Sequence, residues 1–152
     1  MSLLSVGDSA PSFRLPDGNG NTVALEDFLG KKNVVLYFYP KDFTRGCTAE
    51  ACSFRDSREE FTDLGAEVIG VSSDSQDSHK NFTQHYRLPF ILLSDEDGSV
   101  RKAYGVKKTL GLFPGRVSFV IDKKGKIRHI FSSQARATAH VSEARNILKS
   151  LQ

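Results

Sequence analysis

Val34-Val35-Leu36-Tyr37-Phe38-Tyr39-Pro40-Lys41-Asp42-Phe43-Thr44-Arg45-Gly46-Cys47-Thr48-Ala49-Glu50-Ala51-Cys52 is the stretch on which the reading of this chain turns. Residues 34–39 are six consecutive apolar or aromatic side chains, the pattern of a strand buried on both faces at the centre of an α/β sheet. Pro40 ends that strand, since it has no N–H for the ladder. Beyond a polar loop, Ala51, Phe54, Arg58, Phe61 and Leu64 recur at spacings of three and four, so an amphipathic helix is expected from near Cys47, capped by Gly65. Cys47 thus falls where a strand hands over to a helix N-terminus, and unpaired backbone N–H groups and the helix dipole stabilise negative charge there. A reactive thiolate is the first expectation.

Working outward, the same alternation repeats. Residues 67–72 (Glu-Val-Ile-Gly-Val-Ser) read as a second buried strand, and 75–86 as a polar helix carrying Phe82 and Tyr86 and closed by Leu88-Pro89. Residues 90–93 form a short third strand, followed by a helical turn through Val100, Ala103 and Tyr104 and a partly apolar loop over 105–115. Residues 117–121 and 127–131 flank Asp122-Lys123-Lys124-Gly125-Lys126 as a hairpin, and Val141, Ala144, Ile147, Leu148 and Leu151 define a last helix over 139–151. Upstream of the quoted stretch, residues 13–15 and 22–25 flank Asp17-Gly18-Asn19-Gly20-Asn21, again a hairpin. The order is that of a thioredoxin-like α/β fold: a central mixed sheet with helices on both faces and an added N-terminal β-hairpin. A single domain over residues 1–152 is expected.

Bulk properties narrow the function. The net charge of +3 comes from 21 basic and 18 acidic residues interleaved along the chain, so no nucleic-acid footprint is expected. No apolar run reaches the roughly 18 residues of a membrane span, and a cytoplasmic setting is expected, or the plastid stroma if a transit peptide has been removed. Gly18 and Gly20 belong to no phosphate loop, because no helix-opening Lys-Ser/Thr follows. The two cysteines are too few for a secreted disulfide scaffold and point to redox or metal chemistry. Metal is the weaker reading, as His79, His85, His129 and His140 show no ligand spacing.

Cys47 follows a polar loop with a glycine that allows close approach, so its sulfur is expected near solvent. Cys52, one turn along the helix, suits a structural thiol as well as a functional one. An intact helix separates Cα atoms five residues apart by roughly 8.6 Å, whereas a disulfide tolerates about 4.4 to 6.8 Å. Any bond between Cys47 and Cys52 therefore requires the first turns to unwind.

Pro40-x-x-x-Thr44-x-x-Cys47 resembles the peroxiredoxin active-site motif, and Gly46-Cys47-Thr48-x-Glu50-Ala51-Cys52 with Phe54-Arg55-Asp56 is similar to the peroxiredoxin Q, or bacterioferritin comigratory protein, subgroup. The likeness extends to Gly70-Val71-Ser72, Ser78-His79-Lys80, Leu88-Pro89-Phe90, Leu93-Ser94-Asp95, Tyr104-Gly105-Val106 and Pro114-Gly115-Arg116. One departure is Arg45, where the family usually has proline; a φ restraint is lost and a cation gained. The resemblance implies an antioxidant thiol peroxidase acting on hydrogen peroxide and alkyl hydroperoxides. It implies Cys47 as the peroxidatic cysteine, Thr44 as hydrogen-bond partner of thiolate and peroxide, Pro40 as the shield against water, and Arg116 as the cation that favours the thiolate. Cys52 is then the resolving cysteine, forming an intramolecular disulfide that thioredoxin, or a glutaredoxin-type donor, reduces. No cofactor and no metal are required, and a monomer is expected, with a weak dimer open.

Taken singly, these residues have plainer readings: Thr44 as a helix N-cap, Arg116 as a solvated arginine at a strand start, Arg45 as solvent-facing, and Phe38, Tyr39 and Phe43 as core and pocket wall. The histidines are expected at the surface. Two other functions stay open on the residues alone: a protein thiol–disulfide oxidoreductase, which would want Cys-x-x-Cys, and a redox-sensing binding protein whose helix unwinds on oxidation.

Overall fold

The computed structural model describes residues 4–107, 115–133 and 136–152. Two short strands, β1 (Arg14–Pro16) and β2 (Thr22–Ala24), form the expected antiparallel hairpin with Leu15 opposite Val23. The main sheet has five strands in the order β5 (Ile91–Ser94), β4 (Ala66–Ser72), β3 (Asn33–Phe38), β6 (Val117–Ile121), β7 (Ile127–Ser132). β3, β4 and β5 run parallel, and β6 and β7 antiparallel to them. The sheet is therefore mixed, and every residue of β3 is buried, which is why its sequence shows no alternation of polar and apolar side chains.

That alternation exists in space. Val35, Tyr37 and Tyr39 point into one core with Cys47, Ala51, Phe54, Phe61, Phe82, Val141, Ala144 and Leu148. Val34, Leu36 and Phe38 point into a second core with Phe13, Leu15, Leu25, Val100, Tyr104 and Phe119. The first face is covered by α1 (Arg45–Asp56), α2 (Arg58–Asp63), α3 (Gln76–Tyr86) and α5 (Ala139–Ser150). The other is covered by α4 (Ser99–Ala103), the hairpin and the 3₁₀ turn Leu25–Asp27. Gly70 of β4 makes the first core possible: a Cβ there would lie 2.8 Å from Leu92 Cδ2 and 2.8 Å from Tyr37 Cζ.

Two sequence expectations change. The single helix from Cys47 to Leu64 is two helices, interrupted at Ser57 (φ −101°, ψ 9°), and Phe54 and Phe61 still pack, with ring centroids 5.6 Å apart. Periodicity persists across such a break, so a pattern of threes and fours does not reveal it. Gly65, at φ +71°, follows α2 as a left-handed residue, the cap position read from sequence. The histidines divide: His79 and His140 are fully buried, against the surface expectation, because each sits on the inward face of its helix, with Phe82 and Ala144 one turn on. Of the loop expected over 105–115, residues 108–114 lie outside the described residues. Among the described residues, no helix is long and apolar enough to cross a membrane.

Candidate active site

The site forms where β3, α1 and β6 meet. β3 delivers the chain to Pro40, a tight loop follows, and α1 begins at Arg45, so Cys47 lies in the first helical turn. Thr44 occupies the N-cap with extended backbone (φ −77°, ψ 155°), yet its side chain caps nothing in the helix. The hydroxyl instead donates to the Lys41 carbonyl at 2.8 Å, closing the loop on itself and leaving the oxygen lone pairs to accept. Phe43 has φ +64°, a conformation bulky side chains rarely adopt, at a cost on the order of 1–3 kcal/mol. Its ring is 49% exposed and packs edge-on against Phe82, so it belongs to the rim and not to the core. Phe38 and Tyr39 are buried as expected, Pro40 is half-buried, and Arg45 is exposed.

Cys47 is 2% exposed, not solvent-facing. What covers it comes from far along the chain. Arg116, the residue before β6, is itself 5% exposed and donates from Nη2 to Cys47 Sγ at 3.4 Å and from Nη1 to Glu50 Oε1 at 2.6 Å. Gly46 makes the approach possible, since a Cβ there would stand 3.0 Å from Arg116 Nη2. Arg116 is thus a buried bridging cation and not a solvated one.

Glu50 follows Cys47 by three residues, one turn along the same buried face. Burial pushes its carboxyl up to about 8, with Arg116 pulling the other way without cancelling the effect. Burial first, then the charges of Glu50 and Cys47, push the Tyr37 phenol well above its ordinary value, so it stays a neutral hydroxyl beneath the thiol. His140 Nδ1 lies 3.8 Å from Glu50 Oε2. Its ring takes the Ser118 hydroxyl on Nδ1 at 2.6 Å and, facing the Ser133 carbonyl at 2.9 Å, carries its proton on Nε2. Burial holds it down to about 4, so it is neutral near pH 7 and adds no charge to the pocket.

Arg101 of α4 is a further support. It donates to the Tyr39 carbonyl at 3.2 Å and to the Gly115 carbonyl at 3.3 Å, tying together the backbone just before Pro40 and just before Arg116. Sequence reasoning missed the site roles of Glu50, Tyr37, His140 and Arg101. Glu50 alone left a local signal, its placement on the Cys47–Ala51–Phe54 face. Cys52 is half-buried on α1, and both thiols are free.

Chemically, the arrangement is a thiol in a helix's first turn, held against a guanidinium in a nearly dry pocket, with a second thiol five residues away across an intact helix. Residues 6–130 match the AhpC/TSA family. The chain is 50% identical over 149 residues to the chloroplastic peroxiredoxin Q of Triticum aestivum, covering 97% of this chain and 68% of that protein. It superposes on the crystal structure of peroxidoxin BcpB from Mycobacterium tuberculosis with a TM-score of 0.91 at 37% identity, covering 98% of this chain and 99% of that one. A further likeness is to the Xanthomonas campestris bacterioferritin comigratory protein, solved in connection with its alkyl peroxide reduction activity, with a TM-score of 0.86 at 28% identity over 99% of both chains.

Proposed function

We propose, from the premise that this chain belongs to the AhpC/TSA family and is a peroxidase of the peroxiredoxin Q type, that Cys47 is its peroxidatic cysteine and Cys52 its resolving cysteine. The observation that carries this reading is the buried contact of Arg116 Nη2 with Cys47 Sγ at 3.4 Å. A guanidinium held there pairs with the attacking sulfur and stands beside the place where charge develops on the departing oxygen.

The thiolate attacks the terminal oxygen of the hydroperoxide. The S–O bond forms as the O–O bond breaks, sulfur gives up the electron pair, and the leaving oxygen takes a proton to depart as water or an alcohol. Pro40 shields the sulfenic acid from bulk water, and the Thr44 hydroxyl, already donating to Lys41, accepts from the peroxide O–H and so aligns it. Cys52 then attacks Cys47 Sγ, releasing water and forming a disulfide. Helix geometry holds the two Cα atoms roughly 8.6 Å apart, so α1 opens in its first turns before this step. An external dithiol, thioredoxin first among them, reduces the disulfide by exchange. Hydrogen peroxide and alkyl hydroperoxides are the proposed substrates, the second supported by the activity named for the Xanthomonas campestris relative. A monomer suffices, since both thiols lie in one chain. The proposed setting is a reducing compartment, the plastid stroma or a cytoplasm.

The test is peroxide-dependent oxidation of NADPH with thioredoxin and its reductase. Cys47→Ser is expected to abolish turnover, and Cys52→Ser to oxidise once and accumulate a dimedone-trappable sulfenic acid. Turnover by Cys47→Ser would sink the peroxidatic assignment, and full-rate turnover by Cys52→Ser the resolving one.

A further inference from the structure

Two elements meet at one carboxylate in the loop between Pro40 and Thr44, and two more reach the same loop through its backbone and through His79. Asp42 is 3% exposed. Its Oδ1 accepts the Tyr39 hydroxyl at 2.6 Å, its Oδ2 accepts the Ser78 hydroxyl at 2.9 Å, and the same Oδ2 lies 2.6 Å from His79 Nδ1. His79 is fully buried, and its Nε2 faces the Leu93 carbonyl at 2.9 Å. Both ring nitrogens therefore face oxygen atoms, and the Nδ1–Oδ2 contact holds a proton between the ring and the carboxyl group. The Asp42 backbone N–H donates to Asp74 Oδ2 at 2.8 Å, and that oxygen also takes the Ser72 hydroxyl at 2.6 Å.

The loop is thereby tied to the end of β3 through Tyr39, to α3 through Ser78 and His79, to the end of β4 through Ser72 and Asp74, and to β5 through Leu93. Asp42, Asp74 and His79 offer ligand atoms within 4.8 Å of one another, but these atoms are engaged by protein partners and the cluster works as a clasp. Sequestering an acid and an imidazole this deeply is costly unless their pairing is well made. On the other side of Thr44, Arg45 is exposed and Cys52 is half-buried, and the first turn of α1 is held through Arg116 alone of the contacts described above.

We propose that Asp42, with His79 as its buried partner, is a positioning residue for peroxide attack: it pins residues 40–44 to the sheet so that Thr44 and Pro40 hold their places at the start of α1. The inference rests on the roles assigned above to Cys47 and Cys52. The clasp does not touch the sulfur, whose charge environment comes from Arg116. Its loss should therefore impair the alignment of a peroxide far more than the availability of the thiolate.

Two reagents separate these effects, as iodoacetamide needs only an accessible thiolate and hydrogen peroxide also needs aligned oxygens. Asp42→Ala is expected to lower the second-order rate of Cys47 oxidation by hydrogen peroxide about tenfold or more, with the iodoacetamide rate at the same pH held within about twofold, a distinction general loosening would not produce. Asp42→Asn should recover much of the loss, because a carboxamide N–H can donate to a neutral His79 Nδ1. If Asp42→Ala does not fold, Tyr39→Phe and Ser78→Ala each remove one bond to Asp42 and should each give a peroxide-specific loss of roughly threefold. Equal losses with both reagents, or no loss in these variants, would overturn the clasp. Wild-type protein run alongside keeps the two readings apart: if it fails to react with peroxide, the proposed function falls instead.

Discussion

At the scale of single residues, the pocket is organised around one cation shared by two acids. Arg116 reaches both Cys47 and Glu50, and all three are at least 95% buried. Glu50 makes this pocket sensitive to pH. Its carboxyl is raised from 4.5 to about 8 by burial, so between these values the folded protein holds a proton that the unfolded chain has released. Stability is then fully present below about pH 4.5 and declines as pH rises through 8, because ionisation leaves a desolvated carboxylate that Arg116 only partly compensates. Glu50→Gln keeps an oxygen for Arg116 and cannot ionise. Relative to wild type, it is expected to gain stability on the order of a few kcal/mol between pH 5 and 9. Urea unfolding of the reduced proteins at both values measures this, and parallel pH dependence would show that Glu50 does not titrate in this range.

Among the elements, α1 has conflicting demands placed on its first turn. On the proposed mechanism it presents Cys47 to Arg116 when closed and lets Cys52 approach when open. Gly46 serves both. A Cβ there would stand 3.0 Å from Arg116 Nη2 and crowd it, and glycine in a helix is less stable than alanine by about 0.5–1 kcal/mol. Gly46→Ala should therefore slow Cys47 oxidation about tenfold by displacing the guanidinium and also slow disulfide formation by strengthening the helix, with no loss of melting temperature. Rapid-mixing fluorescence and intact-mass analysis resolve the two steps; unchanged rates in both would remove Gly46 from the account. The helix was legible in the sequence from Ala51, Phe54 and Phe61, and so was the strand before it from its unbroken apolar run. The break at Ser57 was not, because the two segments keep a common inward face.

For the molecule as a whole, the two-sided sheet holds the site rigid from below. Tyr37 stacks on Phe54 with centroids 4.7 Å apart and on Tyr39 at 5.3 Å, joining β3 to α1 in the core that also holds Cys47. Gly70, on the neighbouring strand, is the space that Tyr37 fills. Gly70→Ala would place a methyl 2.8 Å from both Tyr37 and Leu92, and is expected to destabilise the fold by about 1–3 kcal/mol through overpacking. The urea midpoint should fall accordingly, and an unchanged midpoint would mean that the sheet yields more readily than its packing implies.

What the sequence determined by itself was everything expressed within a dozen residues: the buried strand at 34–39, the thiol at the start of a helix, the turn residues of both hairpins, and the five-residue spacing that sets Cys47 and Cys52 apart. It also marked Arg116, but only through likeness to a motif. The tertiary structure alone decided that Cys47 is buried, that Glu50 shares its cation, that Arg101 joins the two backbone segments of the site, and that Asp42 and His79 form a clasp. Each of these is a contact between residues 37 to 69 positions apart or hangs on one. Local periodicity records which face of an element is apolar, whereas the partner that meets a polar group on that face is chosen by how the elements stack.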